Sequence, residues 1–217
     1  MVTLLAGSIV LGLSIAAPVG PINIEIIRRG LAFGFWPALC VGLGGMSSDL
    51  LLMLVMFLGA GVVLTWSWVQ IALMLLGCLV LTHAGWTSFR KPVVSEWDGG
   101  KENRAEDGAA WISYARGMLI AGTNPMNILF WVSIYGSVLS GALQKEDVFH
   151  SFLISSMVFI GIGLWNMNLA FFVHFSRSIM TFSLLKWVQR GAGLVLVFYG
   201  MKFGVEACLL IVRSGWL

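Results

Sequence analysis

The residues best placed to do chemistry are few, and most of them are not ionisable. Ala17-Pro18-Val19-Gly20-Pro21 sets two prolines and a glycine deep in an apolar run, and Thr123-Asn124-Pro125 repeats the device farther along. Each proline lacks an N–H and crowds the preceding turn, so a helix through either stretch must break or kink. At the first, the carbonyls from Leu13 to Ala17 are predicted to lose their donors. In lipid, a backbone group left without a partner costs several kcal/mol unless protein, water or a ligand answers it. An unwound stretch beside a helix N-terminus therefore offers amides to an anionic group such as a carboxylate. Asn23 and Asn127 add neutral donors and acceptors next to the two breaks. The alternative reading of both is a kink packed against neighbouring helices.

Asp49 stands among Leu and Met, where a charged carboxylate costs about 2.5–3.5 kcal/mol or more. A function is the default expectation for such a group. As a carboxylate it would pair with a substrate ammonium, and exchange of a proton as the interior opens to each side would couple that pairing to protons. The other reading is a structural hydrogen bond within Ser47-Ser48-Asp49. Glu25 is one helical turn past Pro21 and two past Pro18, so it shares their face. It either lines the same path as a second proton-coupling carboxylate, or forms an ion pair with Arg28 and Arg29 at a helix end.

His83 either relays protons or hydrogen-bonds a neighbouring helix. His150 and His174 have no His-x-x-x-His spacing or carboxylate cluster beside them, so no metal site is predicted, and no cofactor. Cys40, Cys78 and Cys208 are single, without a Cys-x-x-Cys pair, and read as small buried hydrophobes. Without a Ser/His, Asp/Asp or paired-cysteine arrangement, an intramembrane enzyme is not the expectation.

The elements that must hold these residues are transmembrane helices. The chain is 59% hydrophobic and 11% charged, against about 25% charged in an ordinary soluble domain, and its mean hydropathy is +0.91. Apolar segments run over residues 3–27, 36–64, 69–86, 111–139, 149–175 and 184–211. About 20 apolar residues cross the hydrocarbon core, so six spans with short connections fill the 217 residues. The connections are 28–35, 65–68, 90–110, 140–150 and 176–183, and the polar 90–110 is the one sizeable loop. The first segment has no basic stretch before it and stays apolar through Ile27, so it reads as a mature helix rather than a signal peptide. Trp36, Trp66, Trp68, Trp86, Trp111 and Trp187 fall near span ends and read as headgroup-level belt residues.

Ten Lys and Arg residues fall on the side of the first, third and fifth connections, against Lys145, Lys202 and Arg213 on the other. The positive-inside rule then puts loop 90–110 in the cytoplasm and both termini outside. The net charge of +3 is scattered through connections and makes no basic stripe for nucleic acid. An internal repeat is visible as well: Gly20-Pro21-Ile22-Asn23-Ile24 matches Asn124-Pro125-Met126-Asn127-Ile128, and Val41-Gly42-Leu43-Gly44 recurs as Ile160-Gly161-Ile162-Gly163. Ser47 and Asp49 fall opposite Asn166 and Asn168. Three spans per half is an odd number, so the halves would be inverted repeats, about 1–89 and 111–217, on either side of the loop. The predicted fold is all-α and polytopic, a single membrane domain of two inverted three-helix repeats.

Pro18-Val19-Gly20-Pro21, Arg28-Arg29-Gly30, the Gly-rich second span ending in Asp49, and Asn124-Pro125 together resemble the LysE (lysine exporter) family, which includes the homoserine and threonine exporters. The resemblance covers nearly the whole chain. It implies a secondary exporter of amino acids in the bacterial inner membrane, driven by the proton or membrane potential and able to self-associate. By the same resemblance the family's proline motif lands on Pro18, Gly20 and Pro21, and its second-span acid on Asp49. This chain departs from the usual pattern with Ile22-Asn23 after Gly-Pro and with Glu25 where apolar residues are usual, so the substrate need not be lysine. The expected site is Pro18, Gly20, Pro21, Asn23, Asp49, Asn124, Pro125 and Asn127 around a midplane cavity. The substrate carboxylate would meet the backbone at either break and the amine would meet Asp49. The alternative function is a non-transporting membrane subunit with a structural or regulatory role.

Overall fold

Helix α1 (Val2–Ala16) stops where Pro18 removes a donor, and α2 (Pro21–Phe33) restarts on Pro21, with 75° between the two axes. Pro21 takes the first helical position, where a missing N–H costs nothing. Gly20 before it is extended, at φ −117° and ψ −177°, as a residue preceding proline tends to be. Orphan carbonyls begin later than the sequence suggests, because Ala17 still donates its N–H to the Leu13 carbonyl at 3.0 Å. The carbonyls of Ala16 and Pro18 are met by the Asn23 side-chain amide, which reaches back from the first turn of α2 at 2.8 and 2.9 Å.

The computed structural model describes residues 2–18, 20–58, 63, 66–90, 109–125, 127–128, 131, 156–179 and 181–213. After α2 come α3 (Phe35–Phe57), α4 (Ser67–Arg90), α5 (Ala110–Gly122), α6 (Val158–Ile179) and α7 (Phe182–Arg213), and the described residues contain no strand. The connection expected over 28–35 shrinks to Gly34, whose φ of 93° turns the chain directly from α2 into α3. Only glycine takes that conformation without strain. Arg28 and Arg29 are therefore helical rather than in a loop.

Among the described residues, four stretches are long and apolar enough to cross a membrane: Phe35–Met56, Ser67–Thr87, Val158–Ser176 and Lys186–Arg213. The bent pair α1 and α2 makes a fifth if counted as one span. The fourth expected segment begins as α5, breaks at Thr123-Asn124, and resumes helically at Pro125. The rest of it, and the start of the fifth segment at 149–155, lie outside the described residues apart from 127–128 and 131.

The second break copies the first. Thr123 closes α5 with its N–H and hydroxyl both on the Leu119 carbonyl, at 3.0 and 2.7 Å. The new helical turn opens with the Ile128 N–H on the Asn124 carbonyl at 3.1 Å, as the Ile24 N–H meets the Gly20 carbonyl at 3.1 Å. Asn127 reaches back to the Ala121 carbonyl at 3.3 Å. In both breaks a proline starts the helix and the asparagine two residues on serves the carbonyls left behind.

Helix α1 packs on α6, α3 on α5 and α4 on α7, while α2 lies against α3, α6 and α7. Glycines set the first two approaches. A Cβ on Gly12 would fall on the Val158 carbonyl and one on Gly161 on the Ile9 carbonyl; Gly44 and Gly117 stand in the same relation to the carbonyls of Tyr114 and Val41. Small residues of this kind let helix backbones come together in lipid.

Gly117→Ala is expected to force α5 away from α3 and to destabilise the fold by about 1–3 kcal/mol, read as a lower melting temperature in detergent. Gly7→Ala, where a Cβ meets open space, is the matched control and should melt as the parent does. Equal melting of the two variants would refute the close packing.

Candidate functional site

The two breaks face one another across a cavity of about 130 Å³. Pro18, Gly20, Pro21 and Asn23 form the first side of it, and Asn124 and Asn127 the second. Asp49 comes from α3 with Gly42, Gly45 and Met46, and Asn166 from α6. Seven of the eight residues singled out in the sequence thus share one wall. The eighth, Pro125, is buried and lies off it; its part is to begin the helical turn that carries Asn127. Asn166 is buried, with its amide 3.4 Å from the Gly42 carbonyl, whereas Asn168 is exposed and bonds Leu164 within α6. Only the first of that matched polar pair reaches the cavity.

Among the described cavity residues, Asp49 is the one ionisable side chain. Its Oδ1 accepts two hydrogen bonds, from the Asn127 amide at 2.6 Å and the Trp131 indole N–H at 3.0 Å. Both donors come from the stretch after the second break, four residues apart. The Ser47 hydroxyl instead donates to the Leu43 carbonyl at 3.0 Å, so the acid is not held by its own serine cluster. Two helix starts also converge here, at Gly20-Pro21 and Asn124-Pro125. The first N–H groups of a helix have no partner within it and carry partial positive charge. The cavity thus offers a carboxylate at one place and the start of a helix at two others, which suits a small zwitterion. Trp131 was not legible as a site residue; the one available signal was its spacing of a helical turn from Asn127.

Glu25 stands elsewhere. It is fully buried and bound to Arg28, with Nε to Oε2 at 2.6 Å and a second contact from the other guanidinium nitrogen. Arg29 and Arg116 approach the same carboxylate at 3.6 and 3.9 Å. Arg29 also donates to the Ser113 hydroxyl at 2.9 Å and lies over the Phe33 ring. Of the two readings left open for Glu25, the structure shows the ion pair: it is absent from the cavity wall, and three guanidinium groups make it the centre of an ion-pair cluster joining α2 to α5. His83 is exposed on α4 and also off the wall. Cys208, expected to be buried, is exposed on α7, as an apolar thiol can be where the helix exterior faces lipid. The six tryptophans expected near span ends are all exposed.

The LysE type translocator family matches residues 13–207. A Bacillus subtilis (strain 168) protein named "Putative amino acid efflux protein YcgF" is 36% identical over 201 residues, covering 91% of this chain and 93% of that protein. The Pseudomonas aeruginosa (strain PAO1) protein named "Chemotactic transduction protein ChpE" is 29% identical over 168 residues, covering 73% of this chain and 79% of its own length. No solved structure matches the chain. With both proline breaks, Asp49 and its two donors inside the matched stretch, this multi-pass membrane protein belongs to the LysE type translocator family, whose members are transporters and not enzymes.

Proposed function

We propose that the protein exports amino acids across the bacterial inner membrane through the cavity between its two broken helices. The observation that carries this is Asp49, held through one oxygen by Asn127 and Trp131 while it faces the cavity. The substrate ammonium binds this carboxylate. The substrate carboxylate is met by the partial positive charge at the helix starts that follow Gly20 and Asn124. Family membership and the efflux named for the Bacillus subtilis relative favour the same reading.

The architecture we propose is six spans in two inverted three-helix repeats, about 1–89 and 111–217, joined by a cytoplasmic loop over about 90–110. Its support is the shared break device and the cross-pairing of α1 with α6, α3 with α5 and α4 with α7, which two halves related by a twofold axis would produce. The side bias of Lys and Arg favours both termini outside. Coupling to the proton or membrane potential is assigned to Asp49, because protonation would remove the charge that attracts the ammonium. Glu25, already engaged by three arginines, is poorly placed for that task.

A second reading has one observation behind it. The Pseudomonas aeruginosa relative is named for chemotactic transduction, which suits a membrane subunit that senses or regulates without transporting.

Purified protein in proteoliposomes, given a panel of amino acids and an imposed pH gradient, is expected to accumulate at least one of them. Absence of uptake under every gradient would favour the regulatory reading. Asp49→Asn is expected to weaken apparent affinity about 10- to 100-fold, the size of losing a hydrogen bond to a charged group. Wild-type affinity should fall on acidification and that of Asp49→Asn should not; normal, fully pH-dependent export by the variant would remove Asp49 from the site. For topology, Ser95→Cys, in a background with Cys40, Cys78 and Cys208 replaced, should react with an impermeant thiol reagent only from the cytoplasmic face. Labelling from outside would invert the proposed orientation.

A further inference from the structure

We infer that Trp131 is a positioning residue for the site, holding Asp49 so that its free oxygen is turned to the cavity. The inference rests on the reading of Asp49 as the ammonium ligand and adds a residue that does not itself touch substrate. Trp131 is 2% exposed and is not part of the cavity wall. Its indole stacks on Phe159, with centroids 5.5 Å apart and planes 9° from parallel. Around it lie Leu52, Met53, Met56, Ile128, Val158 and Ile162. Packing of that kind asks only for an apolar ring, and phenylalanine would supply it. What tryptophan adds is one N–H, and here that N–H is spent on Asp49 Oδ1 at 3.0 Å.

The geometry gives the bond a consequence. Asn127 donates to the same oxygen, and two donors on Oδ1 fix the rotation of the carboxylate about its own axis. Among the described residues Oδ2 accepts no protein hydrogen bond, and Asp49 lines the cavity, so the free oxygen is the one a ligand meets. A buried indole clamped by its neighbours has little freedom to follow a moving carboxylate, which makes it a fixed reference for Oδ1. Asn127 is less clean as a probe because it lines the cavity itself and also serves the Ala121 carbonyl. Trp131 reaches the site through the acid.

The test uses the full chain in proteoliposomes, with the amino acid that the wild type transports best. Trp131→Phe keeps a stacked ring and loses the N–H; its KM is expected to rise about tenfold, with the maximal rate within about twofold and the protein still folded. Trp131→His, which retains a ring N–H, should keep KM within about threefold of wild type. If Trp131→Phe does not fold but Trp131→His folds and binds normally, the N–H is still the feature required. An unchanged KM in Trp131→Phe, an equal rise in both variants, a lower maximal rate at constant KM, or failure of both to fold would each assign Trp131 to packing alone and overturn the inference. Absence of uptake by the wild type would overturn the transport reading instead, and this one with it.

Discussion

Everything in this molecule turns on the requirement that a backbone polar group inside a bilayer find a partner within the protein. Two proline-broken helices violate it at the place where their four ends meet. The structure answers with the cheapest side chain able to do so, an asparagine two residues into each resumed helix, whose amide folds back onto the carbonyls of the segment just ended. Because these amides sit at the lip of each break, satisfying the backbone also lays polar groups along a cavity. The opening in the bundle and the polarity of its wall are one solution to one constraint.

The two asparagines are built alike and used differently. Asn23 gives both of its bonds to main-chain carbonyls, at Ala16 and Pro18. Asn127 gives a long one, 3.3 Å, to Ala121 and a short one, 2.6 Å, to Asp49. An ionised acid at this depth costs about 2.5–3.5 kcal/mol or more, while each hydrogen bond to a charged group returns about 1.5–3 kcal/mol. Asn127 and Trp131 together therefore offset most or all of that cost, and they do so from the segment after the second break, across from α3. One half of the chain carries the acid and the other makes it tolerable.

Much of this was legible in the sequence because it depends on local chemistry. The prolines require breaks wherever they occur in a membrane helix, an aspartate among leucines demands partners, and the repeated Pro-x-Asn spacing marks both lips of the cavity. What was not legible depends on distances between segments far apart in the chain. Trp131 looked like any apolar residue, since nothing local says that its N–H will meet a carboxylate 82 positions away. Glu25 was ambiguous because a single helical face holds both Pro21 and, three and four residues on, two arginines. Its carboxylate is taken by Arg28 on its own helix, and Arg116 joins from α5, a helix that local pattern could not orient. Gly34 was hidden within the connection expected over 28–35, because the polar pair Arg28-Arg29, which lies inside α2, marked that stretch rather than the single residue that turns the chain.

Two kinds of contact brace the helices behind the cavity wall, and the difference bears on which parts of the bundle are fixed. Leu52, Met53, Met56, Ile128, Val158 and Ile162 pack around Trp131 on the side of Asp49, a close-packed apolar contact in which each atom gains little and the sum is large. One turn beyond Pro21, the contact between α2 and α5 is instead electrostatic, with Glu25 among Arg28, Arg29 and Arg116 and Arg29 on Ser113. A buried ion pair adds little net stability over an apolar contact of similar volume, yet removal of one partner costs about 3–5 kcal/mol because the other charge is stranded. Such a junction holds one alignment sharply without adding much to the depth of the folded state. The apolar side thus supplies cohesion, and the charged side supplies register between the two half-helices that carry the cavity's lips.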